Sequence, residues 1–231
     1  MGAAQRRGED SAMSEYTGKV TPGGPAQTRE LSALTITKVS VGPFDNNAYL
    51  LRSKATGEAL LIDAANDADR LLEVIGDAPV RTIVTTHQHG DHWQALAAVT
   101  RATGARTVAH PDDAGPLPVP VTDPVRDGDT VRVGDVELEA IHLVGHTPGS
   151  IALLYRDPSG HPHLFTGDCL FPGGPGNTQQ DDTRFASLMD GLEEKVFNRL
   201  PDETWVYPGH GDDTTLGAER PHLPEWWARR W

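Results

Sequence analysis

The segment that most constrains the fold is the run THQHGDH at residues 86–92, which lies between two apolar segments. Residues 80–85 are rich in β-branched side chains and predict a buried strand. Residues 93–101 have one apolar face and predict a helix. The run therefore lies where a strand ends and a helix begins, and α/β sheets place their ligand sites at such junctions.

The side chains of this run can serve as metal ligands. In an extended chain alternate side chains point the same way, so His87 and His89 can bind one cation together. Gly90 permits a sharp turn, which can bring Asp91 and His92 round to a second cation. Neutral imidazole and carboxylate are ligands for zinc, iron and manganese. Three His and one Asp this close together favour a metal site over a solvated polar loop.

The charge balance argues against a nucleic-acid partner. The chain has 33 Asp and Glu against 20 Lys and Arg, which gives a formal net charge of -13. A nucleic-acid binder needs clustered basic side chains to offset the phosphate charge. Bound divalent metal would instead cancel part of this negative charge. We therefore expect a small-molecule substrate and no nucleic acid.

Residues 1–30 are polar, contain Gly and Pro and show no periodicity, so we predict a disordered leader and a single domain at 31–231. Met13 is an alternative start of the native chain. No apolar run approaches the roughly 20 residues of a membrane span, and the N-terminus lacks the apolar core of a secretion signal. The single cysteine, Cys169, agrees with a reducing compartment. We therefore expect a cytoplasmic protein without a membrane partner.

Apolar and alternating segments predict the remaining elements. Three antiparallel strands come first, and a helix at 67–75 follows them. The helix after the His-rich run is expected to end at Gly104 in a left-handed cap. A last long helix is expected at 183–200. The predicted strands lie at 34–41, 48–52, 58–63, 80–85, 106–110, 130–133, 136–144, 151–155, 164–166 and 205–207.

Three polar residues near strand ends are placed outside the metal ligands. Asp63 either caps the helix at 67–75 or fixes the tautomer of a histidine ligand, and both roles stay open. His110 has no partner in the sequence, so we expect a structural or solvated side chain. His142 is expected to be a strand residue without a catalytic role.

Four separate strands end in Gly-flanked His or Asp side chains. Beyond the His-rich run, His146 lies in the sequence GHTPG, Asp168 follows a glycine, and His210 lies in the sequence PGHG. Glycine lets the backbone approach a bound ion closely. Loops that converge from several strands at one sheet edge are what a metal site needs.

In this order and at these separations, the motifs resemble those of the metallo-β-lactamase-fold hydrolases, and most of all the glyoxalase II branch, over residues 34–212. The resemblance implies an αββα sandwich, in which two packed mixed β-sheets are flanked by helices and the metals lie at one edge. Periodicity alone indicates only an α/β protein. The resemblance also implies two divalent metal ions, zinc in preference to iron or manganese. The first ion would be held by His87, His89 and His146, the second by Asp91, His92 and His210, with Asp168 as the bridge.

Departures from the family narrow the function. The best-known β-lactamase class is expected to have Cys and Arg where this chain has Asp168 and His92, so antibiotic hydrolysis is not expected. Glyoxalase II continues into a helical domain that binds glutathione, whereas only residues 212–231 follow the last motif here. The loop at 170–178 also differs. Glutathione is therefore not favoured as the thiol, and a thioester or related ester of another carrier stays open.

The preferred hypothesis is a metal-dependent hydrolase that cleaves a small acyl thioester or related ester with a hydroxide that bridges the two metals. Asp91 would also orient this hydroxide. A thiolate leaves without a strong general acid. Residues 172–178 contain no Lys or Arg, so we expect a neutral or singly charged acyl group with hydrogen bonds from Asn177 and Thr178.

Two other functions stay open. A persulfide dioxygenase has the same sandwich and would use one iron held by His87, His146 and Asp168. A metal-bearing binding module without turnover is the third hypothesis. The Trp-rich tail at 223–231 would cover the sheet edge, line the substrate mouth or form a homodimer contact.

Overall fold

Two β-sheets pack face to face in the computed structural model, which describes residues 15–230. The strands are β1 (Gln27–Glu30), β2 (Leu34–Val41), β3 (Asn46–Ser53), β4 (Ala59–Ile62), β5 (Val80–Val84), β6 (Arg106–Ala109), β7 (Asp123–Pro124), β8 (Thr130–Val133), β9 (Val136–His142), β10 (Ile151–Arg156), β11 (Pro162–Gly167), β12 (Leu170–Phe171), β13 (Gly174–Pro175), β14 (Trp205–Pro208) and β15 (Thr214–Thr215). The α-helices are α1 (Ala68–Ile75), α2 (Leu96–Thr103), α3 (Asp182–Leu192), α4 (Leu216–Glu219) and α5 (Leu223–Arg229).

Both large sheets are mixed. In the first, β1 to β7 lie in chain order, antiparallel up to β4 and parallel from β4 onward. The second has the order β15-β14-β11-β10-β9-β8, and its neighbours are antiparallel except for the parallel pair β11 and β14. Strands β12 and β13 form a separate short hairpin.

Side chains that alternate along the strands produce three apolar layers. In β3, Tyr49 and Leu51 face the core between the sheets, whereas Ala48 and Leu50 face the layer shared with α1 and α2. The third layer packs the outer face of the second sheet against α3, through side chains such as Leu188. This arrangement confirms the αββα sandwich that the family resemblance implies.

The predicted elements are confirmed, with strand boundaries shifted by one or two residues and larger differences in two helices. The helix expected from residue 93 begins at Leu96, because residues 90–92 form a 3-10 turn, and it ends at Gly104 with the expected positive φ of 68°. The helix expected at 183–200 divides, since α3 ends at Leu192 and residues 193–197 continue as a π-helical turn. The segment at 172–178, expected to be an irregular loop, contains one strand of the short hairpin.

The predicted leader is wrong over its C-terminal half. Strand β1 pairs with β2, and the Tyr16 hydroxyl donates to Asp213 Oδ2 at 2.6 Å. The Tyr16 ring also packs against Trp205 and Tyr207, with ring centroids 6.2 Å apart in both pairs. The Tyr16 contacts join distant parts of the chain, which is why local periodicity does not reveal them. The pairing of β1 with β2 is local, but the sequence of β1, QTRE, has no apolar alternation to predict a strand. Residues 1–14 lie outside the described residues, and the prediction for them stays a prediction.

The Trp-rich tail packs against the body of the domain. Trp226 is buried in the layer around α3, and Trp227 Nε1 donates to Glu193 Oε1 at 2.5 Å. Of the three roles expected for the tail, this burial corresponds to covering the domain, and the homodimer contact stays a prediction. Within residues 15–230, no helix combines the length and the apolarity needed to cross a membrane.

The core contains a histidine that folding keeps neutral. His163 is fully buried, and its Nδ1 pairs with the Tyr207 hydroxyl at 2.8 Å. Burial, together with the charges of His161 and Arg29, lowers the pKa of His163 to about 3. Below pH 6.5, the ordinary pKa of histidine, His163 binds a proton in the unfolded chain but not in the folded chain. Stability therefore falls as the pH falls.

We expect His163→Phe to remove this acid sensitivity. Between pH 6.5 and pH 3, the wild type should lose up to about 1.4 kcal/mol of unfolding free energy per pH unit from this one group. Urea unfolding of the metal-free protein at pH 7 and pH 5 measures the difference between variant and wild type. His222→Phe, at an exposed position, is the control and should follow the wild type. An equal acid loss in His163→Phe and wild type would contradict the prediction.

Candidate metal centre

All seven residues that the sequence singled out as metal ligands meet at one edge of the sandwich. His87, His89 and His146 form one group and Asp91, His92 and His210 form another, and within each group the candidate ligand atoms lie within 4.8 Å of one another. Asp168 lies between the two groups. Its Oδ2 is 3.6 Å from His146 Nε2 and 3.4 Å from His210 Nε2, and its Oδ1 is 3.3 Å from His92 Nε2.

Strand ends bring these side chains together. The His-rich run leaves β5 in extended conformation up to His89, with φ -67° and ψ 137°, and then turns through the 3-10 segment at 90–92. The backbone therefore directs the two His of the HxH pair to the first group and the following Asp91 and His92 to the second. Asp168 follows β11, and His210 follows the parallel neighbour β14.

One glycine of the last motif is required by close approach. A Cβ atom at Gly209 would lie 2.2 Å from Asp168 Oδ1 and 2.8 Å from His92 Cε1. Both distances are shorter than real Cβ contacts, so any other residue would displace the two side chains. The residue before His210 in the PGHG sequence therefore has to be glycine, because there is no space for a side chain.

The ring nitrogens are arranged as a metal-binding set requires. Four of the histidines use Nδ1 in a hydrogen bond, which leaves Nε2 directed at the centre. The Nε2 atoms of His87 and His146 are buried and have no hydrogen-bond partner among the described residues. A buried polar atom without a partner costs about 1–3 kcal/mol, which a bound cation would offset. The Nδ1 partners are the Thr86 hydroxyl for His87, the Asn177 carbonyl for His146, Asp63 for His92 and the Phe44 carbonyl for His210.

The two groups differ in their electrostatics. Burial lowers the pKa of His87 and of His146, so both rings are neutral and able to bind a cation. Burial opposes the charged form of His92 and His210 as well, but the Asp168 carboxylate outweighs it and raises both pKa values to about 10, aided by Asp63 at His92 and by Asp91 at His210.

Two carboxylates of the centre are ionised: Asp168, the candidate bridge, and Asp91, which is expected to orient the hydroxide. The hydrogen bond from His210 lowers the pKa of Asp91, and Asn46 Nδ2 adds a second hydrogen bond at 3.0 Å. Burial would raise the pKa of Asp168, but hydrogen bonds from His210 and His92 outweigh it and hold this pKa well below its usual range.

Asp63 takes the second of the two roles that the sequence left open. Its Oδ2 accepts from His92 Nδ1 at 2.9 Å and from the Thr86 hydroxyl at 2.8 Å, while Oδ1 accepts from the Thr86 amide. The N-cap of α1 is Asp67, whose side chain accepts from the Arg70 amide. Asp63 therefore fixes the tautomer of His92 so that Nε2 is free for a cation.

The residues predicted to contact substrate lie beside the centre and differ in burial. Asn177 is exposed, and its backbone carbonyl accepts from His146 Nδ1 at 2.8 Å. Thr178 is only 1% exposed, so its burial does not favour the predicted hydrogen bond to substrate. The substrate contact of Asn177 stays a prediction.

His110 and His142 lie apart from the seven residues. Their rings stack with centroids 3.9 Å apart, His110 Nδ1 accepts from the Asp112 amide, and His142 Nε2 donates to the Pro148 carbonyl. With Asp112 these two histidines form a further group whose candidate ligand atoms lie within 4.8 Å of one another, so the structural roles expected from the sequence stay a prediction.

Residues that the sequence did not single out complete the site. Asn46, the first residue of β3, reaches Asp91, and Asp113 accepts from backbone amides next to the ligands. Lys38 is fully buried behind the loop that carries His210. Asn46 follows a polar turn that could have drawn notice, whereas Asp113 and Lys38 have no local sequence signal because their partners are far away in the chain.

Comparison with known proteins gives the family. Residues 41–210 match the family described as the metallo-beta-lactamase superfamily. Because the match spans most of the chain and the fold and site agree with it, the protein belongs to this superfamily, whose members bind divalent metals and are mostly hydrolytic enzymes.

Three individual similarities are informative. A hydroxyacylglutathione hydrolase of Polaromonas sp. is 38% identical over 169 residues, which are 72% of this chain and 62% of that protein. The crystal structure of ETHE1 from Myxococcus xanthus superposes with a TM-score of 0.70 at 33% identity and covers 82% of this chain and 83% of that one. The structure of TTHA1623 in a di-iron-bound form has a TM-score of 0.67 at 31% identity over 79% and 96% of the two chains.

We expect Asp63→Asn to weaken metal binding by about 10- to 100-fold. The Asn amide would face His92 Nδ1 and favour the tautomer that carries its proton on Nε2, where a cation must bind. Asn tolerates the positive φ of 57° at this position, so the backbone should be unaffected. Competition titration of zinc against a chromophoric chelator measures the change. Asp67→Asn, at the cap of α1, is the matched control, and equal affinities in all three proteins would contradict the assignment.

Proposed function

We propose that the protein is a metal-dependent hydrolase, similar to glyoxalase II, that cleaves a small acyl thioester or a related ester. The observation that carries the proposal is the convergence of seven His and Asp side chains into two adjoining groups that share Asp168. The similarity to a hydroxyacylglutathione hydrolase supports this reaction class. The chain matches 62% of that relative's length. The proposal therefore takes the reaction class from the relative but not the identity of the thiol in its substrate.

Two bound divalent cations would acidify a shared water and polarise a carbonyl oxygen. The residues around them supply orientation and exclude solvent. Asp91 is partly exposed and is held by His210 and by Asn46, so it is placed to accept a hydrogen bond from the attacking water. His87 and His92 close the inner side, since both are almost fully buried. A thiolate leaving group needs no strong acid, and the proposed reaction requires none from the chain.

The cleft beside the first histidine group fits a small substrate. Its volume is ≈ 440 Å³, and it is lined by residues that include Gln88, His89, Val144, His146, Pro148 and Arg184. The guanidinium of Arg184 donates to the carbonyls of Gly145 and His146 and to the Gln179 side chain. Because these bonds occupy Arg184, it is poorly placed to receive a polyanionic carrier. A neutral or singly charged acyl group is therefore the proposed substrate class.

We expect His87→Ala and Asp168→Ala to lose bound metal and to lower thioester hydrolysis by at least about 100-fold, because each removes a group from the shared centre. Metal analysis and a thiol-release assay with simple acyl thioesters measure the two effects on the same samples. His163→Ala, which removes a buried histidine outside the candidate metal groups, is the matched control. Intact metal content and hydrolysis in both variants would eliminate the proposal.

A persulfide dioxygenase is the second candidate, and the similarity to ETHE1 from Myxococcus xanthus keeps it open. This function would use one iron at His87, His146 and Asp168. Metal analysis of protein purified without chelators separates the candidates, since the hydrolase predicts two ions and the dioxygenase predicts one iron with oxygen consumption on a persulfide. His210→Ala sharpens the comparison, because only the two-ion hydrolase should then lose an ion.

A panel of thioesters, lactones and persulfides tests the substrate class. We expect small acyl thioesters to be hydrolysed in preference to coenzyme A-type thioesters, since the cleft is small and Arg184 is occupied. Asn177→Ala should raise KM if the exposed side chain binds substrate. A strong coenzyme A preference would contradict the substrate class, and no turnover of any compound after zinc or iron is restored would instead identify a binding module.

A further inference from the structure

Lys38 is the one lysine on β2, and its ammonium group is fully buried behind the metal centre. Its three donor protons have three acceptors: the Gly18 carbonyl at 2.7 Å, the Gly211 carbonyl at 2.7 Å and Asp213 Oδ1 at 2.6 Å. We name these four residues the Lys38 cluster. A buried ammonium is tolerated only where its donors and its charge are matched, as they are here. Gly211 is the residue after His210, so the cluster holds the backbone next to a candidate ligand.

The N-terminal segment contributes to this cluster. The Asp213 amide donates to the Gly18 carbonyl at 3.2 Å, and Tyr16 and Trp205 both donate to Asp213 Oδ2. Gly18 has a φ of +77°, and a Cβ atom there would lie 2.7 Å from the Asp213 Cβ. The loop that carries His210 is therefore held between β2 and a segment far away in the sequence.

A second buried group holds the other side of the centre. Asp113 is 1% exposed, and its Oδ2 accepts from the Gln88 amide at 3.0 Å and from the Thr147 hydroxyl at 2.5 Å, while Oδ1 accepts from the Gly149 amide at 2.8 Å. We name these four residues the Asp113 cluster. Gln88 lies between His87 and His89, and Thr147 follows His146. One carboxylate thus joins the two loops that supply the first histidine group.

The two clusters share no residue and act on different loops. Among the described residues, neither Lys38 nor Asp113 has a ligand side chain as a hydrogen-bond or ion-pair partner, and the partners of both include backbone groups beside the ligands. We therefore expect their effect on metal binding to pass through that backbone. Ligand geometry controls metal affinity, and the groups that orient ligands typically contribute about 10- to 100-fold. Substitutions at sites that share no partner usually have additive effects, so the effects of the two clusters can be measured separately.

We propose that Lys38 and Asp113 are positioning residues for separate halves of the metal centre, Lys38 for the half that contains His210 and Asp113 for the half that contains His87, His89 and His146. Each cluster then sets the metal affinity of its own half. The inference rests on the two-ion centre of the proposed function but not on the substrate.

Zinc titration and cobalt(II) spectra of the full chain test the proposal. Lys38→Met alone would leave a buried carboxylate without its ammonium partner, so the double variant Lys38→Met/Asp213→Asn is used to keep the pair neutral. Asp113→Asn keeps the shape of the side chain but loses one acceptor. The cobalt spectrum identifies which half is occupied, because three imidazoles and two imidazoles with a carboxylate give different ligand fields.

We expect each variant to weaken metal binding in its own half of the centre and not in the other half. The Lys38→Met/Asp213→Asn variant should bind metal about 10- to 100-fold more weakly at the His210 half and within about threefold of wild type at the other half. Asp113→Asn should show the reverse. Val131→Ala, which truncates a core side chain on β8, is the control for general destabilisation and should retain both affinities.

Other outcomes overturn the proposal. Equal weakening of both halves in either variant, or weakening in Val131→Ala at a matched thermal midpoint, would mean that the clusters act only through stability. Unchanged affinities in folded variants would remove the positioning role. If the wild type binds one ion, both the two-ion centre and the positioning role of Lys38 are wrong. If it binds two ions but hydrolyses no thioester, the proposed function is wrong. The positioning roles would then still hold, provided that each variant weakens metal binding in its own half only.

Discussion

The rest of the structure depends on holding several imidazoles and carboxylates out of water at one point. Asp168 is buried, and its carboxylate oxygens lie 3.3 to 3.8 Å from the Nε2 atoms of four histidines. Buried polar groups without partners are each unfavourable by about 1–3 kcal/mol, so such a set persists only in a rigid frame or with a bound ion. Metal binding to a site of this kind contributes directly to the free energy of folding. The centre and the sandwich therefore stabilise each other.

Neither sheet can supply the centre alone. The first sheet contributes the His-rich run after β5 and Asp63 after β4, and the second contributes Asp168 and His210 after β11 and β14. Tyr49 joins the sheets at this edge, because its hydroxyl donates to the Pro208 carbonyl at 2.6 Å while its ring packs on the second sheet. The relative position of the ligands therefore follows from how well the core between the sheets is packed.

The parts of this molecule that the sequence predicts are those with local causes. Backbone geometry within a few residues accounts for the HxH pair, the turn at Gly90 and the Gly-flanked ligands. The αββα sandwich was predicted from the resemblance of these motifs to those of a known family. The contacts of Tyr16, the burial of Trp226 and the roles of Lys38 and Asp113 depend on partners far away in the chain, such as Asp213 for Lys38. Such contacts leave no periodicity, so a single sequence does not reveal them. Asp63 illustrates the limit of what the sequence predicts. Both of its expected roles agreed with the neighbouring sequence, and only the position of His92 in the fold decides between them.

The distribution of exposure around the centre also determines how a substrate can reach it. His87 and His92 are closed off by the sandwich, whereas Asp91 and His210 keep about a quarter of their side-chain surface exposed. A substrate must therefore approach across Asp91 and His210 or through the cleft beside His146. Among the described residues that line this cleft, the guanidinium is that of Arg184, which is bonded to the His146 loop. Arg184 stabilises the loop that presents His146, and the same bonds remove it from substrate recognition. The chain thus uses Arg184 to build the centre, which is a physical reason to expect a substrate without a strongly anionic carrier.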